Sequence, residues 1–260
     1  MPALDLATQE IGSGPTVVIL HGLLGSKRNW QGIAKALAEN FHVVAADLRN
    51  HAESPWHADM AYDAMAADVA ALIQGMGTGP VSVIGHSMGG KTAMMLALDH
   101  AHLVERLVVV DIAPTPSPGH AEGFVEALAA VDLGRFQARR EVDAHLASDV
   151  PDAGIRAFLL QNLDTSGARL AWKPNLSAIM AELDTIVDFP DVPMGRTYDG
   201  PTQFIAGANS DYLQPGHHAA ARALFPNAEF EVIADAGHWV HAEQPAAFIE
   251  SVLPFLKGDG

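Results

Sequence analysis

An α/β fold with a mostly parallel central sheet is predicted by two features of this 260-residue sequence. Short apolar and β-branched runs alternate with longer stretches of helical periodicity along the chain. The runs lack polar alternation, which indicates strands that are buried on both faces by flanking helices. The predicted strands lie at 16–20, 42–46, 81–84, 106–110, 202–206 and 229–233. The predicted helices of this alternation lie at 30–39, 62–74, 90–100, 216–224 and 245–256.

One interval, residues 114–196, departs from the alternation because it contains no convincing strand. A structureless loop of that length is implausible inside a compact domain. Helical patterns occupy the interval instead, at 123–131, 135–146, 155–163 and 176–187. We therefore predict a helical cap at 114–196, inserted into an α/β core that residues 1–113 and 197–260 form together.

The predicted cap is expected to act as a lid over a binding site. In an open α/β sheet, ligands bind outside the carboxyl ends of the strands, which is where the insertion would lie. Several apolar side chains of the cap are candidates to line a pocket beneath it, and equally to form the cap's own core. They are Phe124, Leu128, Phe158, Leu159, Trp172, Ile179 and Met180.

The composition argues against several classes of partner and site. The chain carries 15 Lys and Arg against 31 Asp and Glu, a formal net charge of -16 at pH 7. Such an acidic surface repels phosphate backbones and anionic lipid head groups, so neither nucleic-acid binding nor membrane binding is expected. There is no cysteine, which excludes disulfides, thiolate metal sites and a cysteine nucleophile. No metal, organic cofactor or obligate protein partner is inferred.

The sequence also predicts a soluble, cytoplasmic protein. Residues 1–14 include Asp5 and Glu10 and have no basic region followed by an apolar stretch, so no signal peptide is expected. The longest apolar runs, such as 107–110, have the length of a strand. A membrane helix would need about 18 consecutive apolar residues.

The strongest catalytic signal is the segment GHSMGG at 85–90, which lies between a predicted strand and a predicted helix. G-x-S-x-G in this strand–turn–helix context is the pattern of a nucleophile elbow. The turn holds the serine in a strained backbone conformation, and glycines two residues to either side let the chain segments pass closely. Ser87 is therefore predicted to be a nucleophile, and the alternative is an ordinary glycine-rich turn.

The segment HGLLGS at 21–26, directly after the first predicted strand, predicts a second part of the same site. In α/β-hydrolases, an H-G segment at this place supplies half of the oxyanion hole, and the residue after the nucleophile supplies the other half. The backbone N–H groups of Leu23 and Met88 are thus expected to stabilise the negative charge of a tetrahedral intermediate. Losing one such donor typically costs about 3 kcal/mol. Taken alone, the segment could be a simple turn.

The base that a serine nucleophile needs is assigned to His238 in the segment AGHW at 236–239. A serine hydroxyl is a poor nucleophile near neutral pH without a neighbouring base. His238 lies late in the chain, as the order serine, acid, histidine of this fold requires. The chain has 13 histidines, so position matters more than presence. His241 is expected in a first helical turn, and His217 and His218 are expected to be exposed.

The chain resembles α/β-hydrolase-fold esterases from end to end. More narrowly, it is similar to the small YbfF-type esterase and thioesterase branch, which includes mitochondrial abhydrolase-domain relatives. The matching stretches are HGLLGS at 21–26, DLRNHAESP at 47–55, GHSMGGK at 85–91, LVVVDIAP at 107–114, WKPNL at 172–176 and AGHWVHAEQP at 236–245. The resemblance implies the α/β-hydrolase fold with helices on both faces of the sheet, and hydrolysis of carboxylic esters or, in some members, of acyl-CoA thioesters. One departure is Ala52, where the branch usually has glycine, and it is expected to alter a turn near the site.

Two aspartates compete for the role of the acid that orients His238. Asp111 follows the strand at 106–110 and so stands at the carboxyl edge of the sheet near Ser87. Asp211 follows the next strand, where most α/β-hydrolases place their acid, but the usual spacing falls one residue earlier, on Ser210. The YbfF-type branch has its acid in the DIAP segment, so the resemblance favours Asp111 and leaves Asp211 as the alternative.

Asp47 and Arg49, directly after the strand at 42–46, are interpreted as structural. An Asp and an Arg at a strand end commonly hold a loop through ion pairs and backbone hydrogen bonds. Contact with a substrate is the less favoured interpretation.

The predicted reaction is two-step acyl transfer from a small carboxylic ester, through an acyl-enzyme on Ser87 that water then hydrolyses. One alternative is an acyl-CoA thioesterase that uses the same residues. It is disfavoured because the sequence has no basic cluster for the coenzyme A phosphates, although single Arg and Lys residues of the cap could serve. The alternative from another class is a receptor that binds a ligand in the pocket without catalysis.

Overall fold

A seven-stranded sheet forms the centre of the molecule in the computed structural model, which describes residues 3–258. The strands of the chain are β1 (Thr8–Gly12), β2 (Thr16–Leu20), β3 (His42–Ala46), β4 (Val81–His86), β5 (Val104–Val110), β6 (Leu163–Asp164), β7 (Ala171–Trp172), β8 (Thr202–Gly207) and β9 (Ala228–Ile233). In space the large sheet has the order β1-β3-β2-β4-β5-β8-β9. All neighbours pair in parallel except β1 and β3. The six predicted strands and the mostly parallel sheet are confirmed.

The edge strand β1 is a strand that the sequence pattern does not predict. It pairs antiparallel with β3, with Thr8 opposite Ala46 and Gly12 opposite His42. Four of its five residues are exposed, so the segment TQEIG has no buried apolar run to mark it. Main-chain pairing with β3 makes this strand, and pairing of that kind leaves little trace in composition.

Helices cover both faces of the sheet. The helices of the chain are α1 (Gln31–Leu37), α2 (Tyr62–Met76), α3 (Met88–Asp99), α4 (His120–Ala129), α5 (Arg139–Leu146), α6 (Ala153–Leu159), α7 (Leu176–Ala181), α8 (Leu183–Val187), α9 (His218–Leu224), α10 (Val240–Glu243) and α11 (Pro245–Lys257). Over residues 3–258, no helix combines the length and the apolar character needed to cross a membrane.

The alternating side chains of β2 show how the two faces of the sheet are used. Val17 and Ile19 belong to the hydrophobic cluster that α1 and α11 cover. Val18 and Leu20 belong to the other cluster, which α2 and α3 cover. Fully burying such a side chain contributes about 1.5–3 kcal/mol to folding. The run TVVIL is therefore apolar throughout because both of its faces are core.

The stretch between β5 and β8 (residues 114–196), which we call the cap segment, contains the helices α4 to α8, the connections between them and one short pair of strands. Leu163 pairs with Trp172 and Asp164 with Ala171, so the prediction that this interval has no strand is wrong at that point. Two residues per strand are too few to produce a period in the sequence. The helix predicted at 176–187 is also divided, because Glu182 leaves the helical region with φ −110° and ψ 17° and separates α7 from α8.

Buried side chains attach the far end of the cap segment to the core. The hydroxyl of Tyr62 in α2 donates to the carbonyl of Ile186 at 2.5 Å. The ammonium of Lys91 in α3 donates to the carbonyls of Val187 and Asp188, each at 2.8 Å. Because α3 begins directly after Ser87, the cap segment and the elbow share one helix as a support.

Candidate active site

Ser87 lies at the sharp turn between β4 and α3, with φ 51° and ψ −120°. The turn requires two of its glycines. A Cβ at Gly85 would lie 2.2 Å from the carbonyl oxygen of Gly89, and a Cβ at Gly89 would lie 2.5 Å from the carbonyl oxygens of both Leu20 and His21. Backbone strain of this kind costs about 1–3 kcal/mol and persists only where the surrounding structure enforces it. The segment with the pattern G-x-S-x-G thus forms the strained strand–turn–helix geometry that the pattern predicts.

A chain of two hydrogen bonds connects Ser87, His238 and Asp111. The Oγ hydroxyl of Ser87 is 3.1 Å from Nε2 of His238. Nδ1 of His238 is 2.7 Å from Oδ2 of Asp111. With Nδ1 carrying the proton that it donates to the carboxylate, Nε2 is free to accept the proton of the serine. The structure thus brings together three side chains that lie on three different loops of the sequence.

Asp111 is completely buried, and its carboxylate accepts further hydrogen bonds. Oδ1 accepts from the backbone N–H of Gly207 at 3.0 Å, and Oδ2 accepts from the hydroxyl of Ser210. These donors stabilise the negative charge where water cannot reach it. Ser210 occupies the position at which the usual pattern of the fold has its acid, and here its side chain supports the carboxylate of another strand.

Asp211 lies in the wall of the cavity described below, with an exposed side chain. The contact to Nδ1 of His238 is made by Asp111. The sequence spacing, which puts Asp211 one residue late, is consistent with this arrangement. The ring of Tyr212, the next residue, stacks on the imidazole of His238 with 3.7 Å between centroids.

The loop HGLLGS packs directly against the elbow. A Cβ at Gly22 would lie 2.8 Å from Nδ1 of His86 and 3.2 Å from Cβ of Ser87. Leu23 is the next residue of this loop, and Met88 is the first residue of α3, so its N–H has no acceptor within the helix. The two predicted donors therefore belong to segments that meet at Ser87.

Buried histidines around the site hold its loops, a role that the sequence analysis missed. Nδ1 of His21 donates to the carbonyl of Gly22 at 2.8 Å, and Nε2 of the same ring accepts from the N–H of Leu48 at 2.9 Å. His86 donates from Nε2 to the carbonyl of His238 at 2.8 Å. The signal was present, because these histidines lie inside the motifs HGLLGS and GHSMGG. Their role depends on partners far away in sequence.

Burial lowers the pKa of four histidines in and around the site. It lowers the pKa of His51 and of His241 to about 3, with a nearby histidine as a second cause in each case. It also lowers the pKa of His21, and it lowers the pKa of His86 well below its ordinary value. Burial disfavours the charged form of an imidazole because it removes the water that solvates the charge.

The protein is expected to lose stability steeply in mild acid. The unfolded chain takes up protons at these four histidines near pH 6.5, whereas their lowered pKa delays this uptake in the folded protein, most clearly for His51 and His241 with a pKa of about 3. Unfolding therefore gains protons as the pH falls. Stability is fully present above about pH 6.5. Below it, His51 and His241 each remove up to about 1.4 kcal/mol per pH unit until the pH approaches their folded pKa of about 3, and the lowered pKa of His21 and of His86 adds to the loss. Urea titrations at pH 7, 6 and 5 should show the free energy of unfolding falling by several kcal/mol.

Two variants make this measurement specific. His241→Phe replaces a ring whose Nδ1 is buried without a partner and which stacks on Trp30 at 3.9 Å, so the pH slope should decrease by about one proton. His102→Gln changes an exposed imidazole and should leave the slope unchanged. A free energy of unfolding that stays constant between pH 7 and pH 5 would contradict the prediction.

A largely apolar cavity of about 420 Å³ opens above Ser87. Among the seven candidate lining residues of the cap, Phe124, Phe158 and Leu159 do line it. The other four belong to the core of the cap segment, which was the alternative expectation. Leu128 and Ile179 are completely buried in the core of the cap segment, and Trp172 and Met180 are partly buried against that core. Apolar periodicity is the same in both groups, so only the packing separates them.

The contacts of Asp47 and Arg49 agree with a structural role. Asp47 forms a buried ion pair with Lys27, and Arg49 holds Asp68 with Nε to Oδ2 at 2.7 Å. The two residues pair with these partners and not with each other. Ala52, in the same stretch, adopts φ 45°, the left-handed region that glycine prefers. An alanine has a cost of about 1–2 kcal/mol in this conformation, which a glycine would not have.

Comparison with known proteins agrees with this architecture. Residues 15–245 match the family model described as the alpha/beta hydrolase fold. The chain is 45% identical to the sn-1-specific diacylglycerol lipase ABHD11 of Mus musculus, over 93% of this chain and 81% of that protein. It is 34% identical to Esterase YbfF of Escherichia coli K12, over 93% of this chain and 92% of that one. The solved structure of a marine microorganism esterase superposes with a TM-score of 0.94 at 35% identity, covering 98% of this chain and 100% of the other. The chain belongs to the α/β-hydrolase family.

Proposed function

We propose that this protein hydrolyses carboxylic esters, with Ser87 as nucleophile, His238 as general base and acid, and Asp111 as the carboxylate that orients the imidazole. The hydrogen-bonded chain from Asp111 through His238 to Ser87 carries the proposal, because it ends at the floor of an apolar cavity. Membership of a hydrolase family supports it. So do the names of two relatives, a lipase and an esterase.

In the first half of the reaction, the hydroxyl oxygen of Ser87 attacks the ester carbonyl while Nε2 of His238 takes its proton. The N–H groups of Leu23 and Met88 stabilise the resulting oxyanion. The tetrahedral intermediate then breaks its bond to the alcohol oxygen, and His238 gives its proton to the departing alcohol. The acyl group stays on Ser87 as an ester.

In the second half, water attacks this acyl-enzyme while His238 takes one of its protons. The second tetrahedral intermediate releases the carboxylic acid, and the proton on His238 returns to the oxygen of Ser87. Asp111 stays ionised throughout and stabilises the imidazolium that forms twice in the cycle. The cap segment, which supplies Phe124, Phe158 and Leu159 to the cavity wall, is proposed to act as the lid that excludes bulk water.

A serine-directed fluorophosphonate tests the proposal at the atom that carries it. The purified protein is expected to be labelled stoichiometrically within minutes, with the adduct mapped by peptide mass spectrometry to Ser87. Activation of the serine by a base is required for this reaction. A ligand receptor with the same fold would bind small esters without being labelled, and absence of labelling at Ser87 would contradict the proposal.

A panel of esters with graded acyl chains then defines the acyl specificity. The same panel should include an acyl-CoA thioester that matches one of the esters in its acyl group. A kcat/KM about tenfold higher for the thioester would identify the protein as a thioesterase that uses the same residues. Such a ratio corresponds to about 1.4 kcal/mol more stabilisation of the transition state for the thioester. The cavity wall is mostly apolar, so esters with aliphatic acyl groups are expected to be the better substrates.

A further inference from the structure

We infer that Asn162 of the cap segment is a positioning residue for the oxyanion hole, which it holds through the main chain of Leu24. This inference rests on the proposed function. Asn162 lies in the single 3-10 turn Leu160–Asn162 that follows α6, and only 3% of the residue is exposed.

The amide of Asn162 bridges two parts of the chain that are 138 residues apart. Its Nδ2 donates to the carbonyl of Leu24 at 2.7 Å and to the carbonyl of Leu159 at 3.1 Å. Both protons of the amide are thus used, one on the core and one on the cap segment itself. A buried amide of this kind is strongly constrained, because breaking either bond would leave a polar group unpaired away from water.

The acceptor, Leu24, lies in the loop that carries the proposed oxyanion donor Leu23. Leu24 adopts φ 57°, a conformation that a leucine holds only when its surroundings enforce it. Its N–H donates to Nε2 of His51 at 3.1 Å, and the turn is closed by the N–H of Gly25 on the carbonyl of Gly22 at 2.9 Å. The peptide group before Leu24 is therefore held by the core, and the peptide group after it is held by Gly22 within the loop and by Asn162 from the cap segment.

This arrangement links the position of the cap segment to the geometry of the reacting centre. Oxyanion donors act at about 2.7–3.1 Å from the oxygen, and a displacement of about 1 Å can cost a hundredfold in rate. Leu159, the second acceptor of Asn162, also lines the cavity. An acyl group that packs against Leu159 therefore contacts the residue whose carbonyl accepts a hydrogen bond from Asn162.

Tyr62 provides a matched control for Asn162. It too is a buried side-chain donor that joins the core and the cap segment through a backbone carbonyl, that of Ile186. Its contact is at the other end of the cap segment, and its hydroxyl has no part in the loop HGLLGS. Tyr62→Phe and Asn162→Ala should both lower the melting temperature, because the first leaves one buried carbonyl without this donor and the second leaves two.

The experiment compares hydrolysis of p-nitrophenyl butyrate by the two variants and the parent protein. Asn162→Ala is expected to lower kcat about 30- to 100-fold with KM within about threefold, because the lost contact acts on the transition state. A trifluoromethyl ketone forms a hemiketal with the serine whose oxyanion occupies the same hole. Its inhibition constant should rise by the same factor as kcat/KM falls. Tyr62→Phe should change both quantities by less than about threefold.

The outcomes distinguish the positioning role of Asn162 from the proposed esterase function. If the parent protein shows no hydrolysis that depends on Ser87, the proposed function fails. If hydrolysis depends on Ser87 but the ketone binds Asn162→Ala as tightly as it binds the parent, the positioning role is overturned and the proposed function stands. Equal kinetic losses in Asn162→Ala and Tyr62→Phe would overturn it as well. Asn162→Leu, which has nearly the same size and removes the donor without adding a buried charge, serves for the same comparison if Asn162→Ala does not fold.

Discussion

Asp111→Asn is expected to lower the turnover number about ten-thousandfold, which is the loss seen when a triad carboxylate becomes an amide and the histidine adopts the wrong tautomer. The surroundings of Asp111 explain why that tautomer would form here. The N–H of Gly207 points at Oδ1, so the oxygen of the new amide would be retained there. The NH₂ group would then face His238 and donate to Nδ1. The proton of the imidazole would consequently lie on Nε2, and a protonated Nε2 cannot accept the proton of Ser87.

Asp211→Asn is the matched control, since it makes the same chemical change in the competing aspartate. Its turnover should differ from that of the parent by less than about tenfold, because Asp111 is the residue that makes the contact to Nδ1 of His238. Steady-state kinetics on one ester, with the melting temperature of each variant, give the comparison. The reverse ranking of the two variants would transfer the acid role to Asp211, and it would leave Ser87 and His238 in place.

Ser87→Ala is expected to reduce ester hydrolysis by at least about a thousandfold, in line with the removal of a triad nucleophile elsewhere. The fold should be retained, because alanine keeps the Cβ and only the oxygen atom is removed. The backbone at this position would remain in its left-handed conformation with φ 51°. The residual rate would come from substrate binding and the oxyanion donors acting on water.

The Ser87→Ala measurement requires a purified variant whose circular dichroism and melting temperature match those of the parent. A turnover number near the parental value in such a sample would show that Ser87 is not the nucleophile. The fluorophosphonate reaction provides an independent control on the same variant, because the adduct at position 87 cannot form without the hydroxyl. Labelling that persisted elsewhere would identify another activated nucleophile.

Most of the core could be predicted from the sequence because its elements are marked locally. A run such as TVVIL at 16–20 is apolar at every position, and both of its faces are buried in the structure. The exposed strand β1 and the short pair β6 and β7 could not be predicted, because main-chain pairing alone makes them. The divided helix α7 and α8 was missed for a related reason. Its apolar period continues through the break at Glu182, where the backbone geometry changes and the composition does not.

The sequence by itself determined the elbow at Ser87 and the placement of His238 after the last strand, because a few adjacent residues carry each signal. Only the tertiary structure decided which carboxylate reaches the imidazole, since Asp111 and His238 are 127 residues apart and meet through the packing of β5 against β8. The same holds for Asn162, whose amide reaches Leu24 only after the cap segment has folded onto the core. A hydrogen bond requires that its donor and acceptor lie within a few tenths of an ångström of an optimal distance, and no local pattern of residue types encodes such a distance between distant segments.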